Sequence, residues 1–203
     1  MEVRIPKESD LPIVVRPSRD SDVEPMLAIY RRHIRLGIDE GVSDAETPKP
    51  DDLRDRRKNL KSKRFPHLVA TRGGEVVGYA YVVLFRKRPA YRYTLKHSIY
   101  VHHEHLSAGI GRRLLPALIE ACAAGGYRQM IGYIDAKNEA SLRLHEACGF
   151  VRVGLLPAVG YKYGRWSDSV MVQRALGTGS TDQPGTWTRS VEALVAGHEW
   201  VGK

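Results

Sequence analysis

Between Ile99 and Leu114 the chain passes from a β-branched segment, through a polar stretch with glycines at 109 and 111, into helical apolar spacing. This passage constrains the fold more than any other. A strand must deliver the chain to a tight loop, and the loop must hand it to a helix whose first amides have no partner inside the helix. Leu114, Leu115, Leu118, Ile119 and Cys122 form the apolar stripe of that helix, predicted from about Gly109 to Ala124. Glycines let backbone approach a bulky group, and free amides at a helix start favour an anion. Arg112 and Arg113 add positive charge. An ordinary connection with turn glycines explains the same residues equally well. Two alternatives fail outright. No Gly-Lys-Ser/Thr follows, so this is not a nucleoside-triphosphate loop. The third glycine of a dinucleotide fingerprint, due near Leu114, is absent.

A second segment lies about thirty residues on. Asn138 caps a predicted helix that runs to about Cys148 and stops at Gly149. Ser141 and His145 are one turn apart, so Asn138, Ser141 and His145 share a face. An imidazole there can move protons near neutral pH, and a half-buried structural histidine is the simpler alternative.

The remaining pattern is mixed. Ile13–Arg16 reads as a strand ended by Pro17, and Val23, Met26, Leu27, Ile29 and Tyr30 have helical spacing. Residues 37–51 read as a loop, and Leu53 to Lys63 as a charged helix. Strands are predicted at His67–Thr71 and Glu75–Phe85 around an Arg72-Gly73-Gly74 turn, then at Thr94–Val101 and Gln129–Asp135. Val151–Leu155 and Ser169–Leu176 close the series, and a short helix is possible from Ser190 to Ala196. The organisation is an N-terminal arm (1–12), one α/β-mixed domain (13–176), and a linker with tail (177–203).

Over 203 residues the formal charge is +9, which favours an anionic partner without choosing among nucleic acid, lipid and a phosphorylated small molecule. No apolar run reaches the ~18 residues of a membrane span, and the N-terminus lacks a signal-peptide core, so no membrane role is expected. Two cysteines suit a reducing cytoplasm. The basic residues from Arg54 to Arg64 alternate with Asp51, Asp52 and Asp55, as on an exposed helix, so nucleic acid is not expected. His102, His103 and His105 read as a solvated loop, and no metal is expected. Pro116 should remove one bond from its helix and bend it. His97 alternates with Lys96 onto the opposite face of its strand and is not expected to be catalytic.

Taken together, the two segments resemble the GNAT superfamily of acetyl-CoA-dependent N-acetyltransferases. Its helix pattern is met at Asn138, Ser141, Leu144, His145, Gly149 and Phe150, and its loop pattern at Gly109 and Gly111, with Leu106 in place of Gln or Arg. Further likeness to the phosphinothricin acetyltransferase branch lies in IVVRPSRDSDVEPMLAIYRRHI, in Ala90-Tyr91-Arg-Tyr-Thr94, in LHEACGF, and in Gly160-Tyr161-Lys162-Tyr-Gly164-Arg-Trp166-Ser-Asp168. The resemblance implies a mixed central sheet flanked by helices, with a V-shaped split between two strands. Acetyl-CoA would lie along Ile99, Tyr100 and Val101, with its pyrophosphate on amides of Ser107, Ala108, Gly109, Ile110, Gly111 and Arg112. Asn138 and Ser141 would hold the pantetheine or acetyl region, and His145 would handle protons near the thiol.

The branch carries a glutamate where this chain has Lys96. An ammonium cannot inherit a carboxylate's role as base. Lys96 either pairs with a substrate carboxylate or is a solvated lysine at the mouth, and Tyr161 is a second substrate candidate. The expected function is acetyl transfer to a primary amine of a small amino-acid-like molecule. The alternatives are a protein N-terminal or lysine acetyltransferase and a non-catalytic CoA sensor. By the same resemblance the chain forms a homodimer.

Overall fold

In the computed structural model the strands assemble into one mixed sheet with the order β6-β7-β5-β4-β3-β2-β1-β8. The structure describes residues 11–35, 49–162, 164–184 and 200–201. In chain order these form β1 (Ile13–Pro17), α1 (Val23–Arg35), α2 (Pro50–Ser62), β2 (His67–Arg72), β3 (Glu75–Leu84), β4 (Thr94–Val101), α3 (Ile110–Ala124), β5 (Gln129–Asp135), α4 (Glu139–Ala147), β6 (Val151–Lys162), β7 (Arg165–Ala175) and β8 (Trp200–Val201).

Strand alternation builds a core on each face of the sheet. Leu68, Ala80 and Leu95 face α3, where Leu114, Leu115, Leu118 and Cys122 are fully buried. Val69, Tyr79 and Tyr81 face α1 and α2, against Val23, Met26, Leu27, Leu53 and Leu60. Burying a leucine of this kind contributes about 1.5–3 kcal/mol. The start of α1 is pinned by a fork: Arg16 donates from both terminal nitrogens to Asp22, at 2.7 and 2.8 Å, and the Arg19 amide donates to the same carboxylate at 2.6 Å.

Three expectations change. Helix α2 begins at Pro50 rather than Leu53, because proline suits a first turn and the Asp52 carboxylate accepts the Lys49 amide at 2.8 Å. The two short closing strands are one long hairpin, β6 with β7, whose turn falls in the Gly160–Asp168 segment. Residues 177–184, read as linker, fold back in turns, with Asp182 accepting from Arg128 at 3.0 Å and from Thr178 at 2.6 Å. Pro116 sits within α3 on its exposed face. Expectations for 1–10, 37–48 and 190–196 lie outside the described residues.

Candidate active site

β4 and β5 run parallel and are bonded only from Thr94 opposite Gln129 to Lys96 opposite Ile131. β5 nevertheless stays paired with β7 as far as Asp135, and β4 with β3 as far as Val101. The two central strands therefore diverge beyond Lys96 and Ile131. His102 N donates to Val77 O, and Phe85 N donates to Thr94 O. By the alternation of an antiparallel ladder, Ser98 and Tyr100 then bond to β3, while Ile99 and Val101 turn their amides and carbonyls into the gap. The Val101 carbonyl accepts from His33 Nε2 at 3.1 Å.

The gap leads into two cavities. One, of about 460 Å³, is walled by Ile99, Val101, Ser107, Gly109, Gly111 and Arg112. Gly109 caps α3 at φ +83°, a conformation glycine takes without penalty, and as a glycine it offers the first-turn amides no side-chain acceptor. Ser107 also has positive φ, at +60°. These amides are left for a ligand, and an anion fits them.

The other cavity, of about 680 Å³, is walled by Tyr30 and His33 of α1, Tyr100 of β4, Tyr133 of β5 and Arg165 at the start of β7. Ile99, Asn138, Ser141 and His33 line both cavities, so the two join beside the N-terminus of α4. There the Asn138 side-chain oxygen caps the helix by accepting the Ser141 amide at 3.0 Å.

Of the residues predicted for the cofactor, Ile99, Val101, Ser107, Gly109, Ile110, Gly111, Arg112, Asn138 and Ser141 all line the smaller cavity, and Tyr100 lines the larger. Ala108 lines neither: its amide donates to His105 O, and its carbonyl accepts from Arg72. Lys96 is exposed at the last position where β4 pairs with β5, and Tyr161 packs edge-on against Trp166 on the outer hairpin. Neither residue lines either of the two cavities described.

His145 is buried at the end of the larger cavity, and His97 stands beside it, with Nε2 to Nε2 at 2.8 Å. His97 faces away from Lys96, as alternation predicts, on the face it shares with Leu95, and there it meets His145 of α4. Gly132 makes the room: a Cβ there would stand 2.6 Å from His97 Cε1. Burial pushes His97 down to about 3, helped by the nearby His145, and the Ile131 carbonyl partly opposes it. Burial lowers His145 as well, against the pull of the Ser141 carbonyl. His33 and Tyr30 were missed, although their i, i+3 spacing on a predicted helix put them on one face.

A parallel strand pair that splays open beside an uncapped helix N-terminus defines an acetyltransferase of the GNAT type, and the chain belongs to that family. The Acetyltransferase (GNAT) family model matches residues 32–150. Phosphinothricin N-acetyltransferase of Alcaligenes faecalis is 45% identical over 173 residues, covering 84% of this chain and 86% of that protein. The L-methionine sulfoximine/L-methionine sulfone acetyltransferase of Pseudomonas aeruginosa PAO1 is 36% identical, covering 78% and 92%. A phosphinothricin acetyltransferase from Sinorhizobium meliloti, solved in complex with acetyl-CoA, superposes with a TM-score of 0.79 at 36% identity, covering 87% of this chain and 95% of that one.

Proposed function

We propose that this acetyltransferase acylates the amine of a small amino-acid-like acceptor held in the larger cavity. The observation that carries the reading is the junction of the two cavities at Ile99, Asn138 and Ser141. An acceptor amine on one side can there meet a thioester arriving from the other. Acetyl-CoA, when bound, supplies the activated acetyl group. The first-turn amides of α3 and the Arg112 charge suit its pyrophosphate, and the gap-facing backbone of Ile99 and Val101 suits its amide-bearing arm. The Val101 N–H faces the gap and can polarise the thioester carbonyl, as a preorganised donor should. His145 is the group for proton transfer at the junction.

The acceptors named for the relatives are α-amino acids with a polar phosphorus or sulfur group. A carboxylate of that kind would find Arg165 and Lys137 on the wall of the larger cavity, whereas Lys96 lies off it. Arg165→Glu is therefore expected to raise KM for the acceptor at least ~10-fold, the equivalent of about 1.4 kcal/mol, and to leave KM for acetyl-CoA within about twofold. Steady-state kinetics with each substrate varied in turn measures both. The deciding experiment for the function is thiol release from acetyl-CoA with amino acids, their sulfone and sulfoximine analogues, polyamines and short peptides. Turnover confined to polyamines or to peptide N-termini would overturn the proposal.

The partner is a second copy of the chain. β6 is the edge strand of the sheet, and its hairpin exposes Val151, Val153, Leu155, Val159 and Trp166, a large apolar area for a monomer to leave in water. Sedimentation is expected to give about twice the 22.8 kDa of one chain, and Trp166→Asp to shift the distribution toward monomer. The free thiols Cys122 and Cys148 suit a cytoplasmic setting. Among the described residues no helix is long and apolar enough to cross a membrane.

A further inference from the structure

His97 and His145 occupy a line of contacts between two backbone carbonyls. His97 Nδ1 lies 2.9 Å from Ile131 O, the two Nε2 atoms lie 2.8 Å apart, and His145 Nδ1 lies 2.7 Å from Ser141 O. Each of these three contacts needs one hydrogen, because carbonyl oxygens and bare ring nitrogens only accept. Two neutral imidazoles bring two hydrogens. Whichever tautomers they adopt, at least one contact sets lone pair against lone pair at under 3 Å. One added proton completes all three, and a second has nowhere to go.

The geometry points to a two-imidazole unit that takes up one proton during acetyl transfer, with His97 as the positioning residue that lets His145 accept it at Nδ1. The role in turnover rests on the acetyltransferase reading, whereas the proton count does not. Nδ1 of His145 is the entry atom because Ser141, a residue that lines both cavities, has its Oγ 3.4 Å from it. In the empty unit His97 Nδ1–H donates to Ile131 O, His145 Nε2–H donates to His97 Nε2, and His145 Nδ1 is bare. Acetyl transfer to an ammonium forms a C–N bond, breaks a C–S bond and takes two protons from nitrogen. One of them goes to the departing sulfur and one to solvent. The unit holds one of the two in transit.

The surroundings are built for this pair. Phe150 packs its ring 5.2 Å from His97 and 5.1 Å from His145. On the sheet side stand Gly132 of β5 and Val172 of β7, which carry no charge. Across the larger cavity the titratable groups are Tyr30, His33 and Tyr100 on one side and Tyr133, Asp135, Lys137 and Arg165 on the other, and from β7 Arg174 reaches Gly149 and Cys148 at the far end of α4. Asp135 is itself engaged by Ser167 Oγ at 2.7 Å and by the Lys137 amide. Burial opposes charge on either ring, which keeps the unit empty until the acceptor arrives and bars a second proton.

The test is a pH titration of the ring nitrogens by NMR on protein labelled with 15N-histidine, with kinetics of His97→Gln alongside. Uptake of one proton should move the ring nitrogens of His97 and His145 together, at one midpoint. Glutamine Oε1 can accept from His145 Nε2–H but is too weak a base to share the added proton, so the charge can no longer spread over two rings. His97→Gln should therefore lower plateau turnover about 100-fold and move the acid limb of the pH profile to lower pH. A His97 that is merely structural would be rescued by glutamine, with native turnover and profile, and that result would overturn the proposal. So would His145 titrating while His97 stays unchanged, or neither ring titrating across the acid limb. Should no amine support thiol release, the functional reading fails, and the NMR titration on the native protein still decides the proton count.

Discussion

Gly132→Ala is expected to cut acetyl transfer about 100-fold, the scale set by misplacing a reacting group by about 1 Å, while KM for acetyl-CoA stays near its native value. The added methyl would lie 2.6 Å from His97 Cε1, 3.2 Å from His97 Nε2 and 3.1 Å from a Val172 methyl. No flexible side-chain end is available to give way. His97 is a ring tied to the Ile131 carbonyl, and Val172 is β-branched and buried. The imidazole must therefore swing off His145, or β5 must shift. Overpacking of this kind costs about 1–3 kcal/mol. The cofactor cavity is walled by other residues, so binding and turnover should separate. Steady-state kinetics with both substrates, together with thermal unfolding, checks each part. Native turnover in the variant would mean that the position of His97 is irrelevant to the reaction.

Asp22→Ala should cost about 3 kcal/mol of stability, the lower end for removing one partner of a buried ion pair. The carboxylate is 5% exposed and Arg16 14%, and the Arg19 amide loses its acceptor as well. For a chain of this length the loss corresponds to a fall in Tm of roughly 6–12 °C. Burial pushes the Asp22 carboxyl up, but the hydrogen bonds from Arg16 and Arg19 and their charges outweigh it. The folded pKa therefore lies below the ordinary 3.8. A depressed carboxyl stabilises the fold above its unfolded pKa and loses that contribution as pH falls through the folded value. The difference in Tm between native and variant should be largest near neutrality and shrink below about pH 4. A gap independent of pH would assign the loss to packing alone. The fork also reaches the site, since it sets the start of α1, the helix that presents Tyr30 and His33 to the cavity.

The loop and helix that suit a pyrophosphate were legible because their chemistry is local. Two glycines and an apolar stripe sit within fourteen consecutive residues, 109–122, and backbone suits the anion. Asn138, Ser141 and His145 were legible for the same reason, since one helical face carries them. His97 was not. Alternation gave its face correctly, but which helix covers that face depends on a parallel pairing with β5 and on Gly132, both distant in sequence. Lys96 shows the same limit from the other side. Its functional reading came from the glutamate that the branch carries at that position, whereas the point at which β4 leaves β5 keeps it off the walls of both cavities. Arg165 and the extent of the last hairpin were hidden in a Gly- and Tyr-rich stretch that shows neither helical nor strand period.

The divergence of β4 from β5 also bears on how the protein breathes. Among the described residues no strand pairs with Ile99 and Val101 on the gap side, so on the function proposed above an extended, amide-bearing ligand would stand in for one. Binding then adds to folding free energy by mass action, about 2.7 kcal/mol at a ligand concentration 100 times Kd. The gap-facing amides should exchange hydrogen with solvent quickly in the free protein and slowly once acetyl-CoA is bound, whereas those of Ser98 and Tyr100, already paired with β3, should change far less.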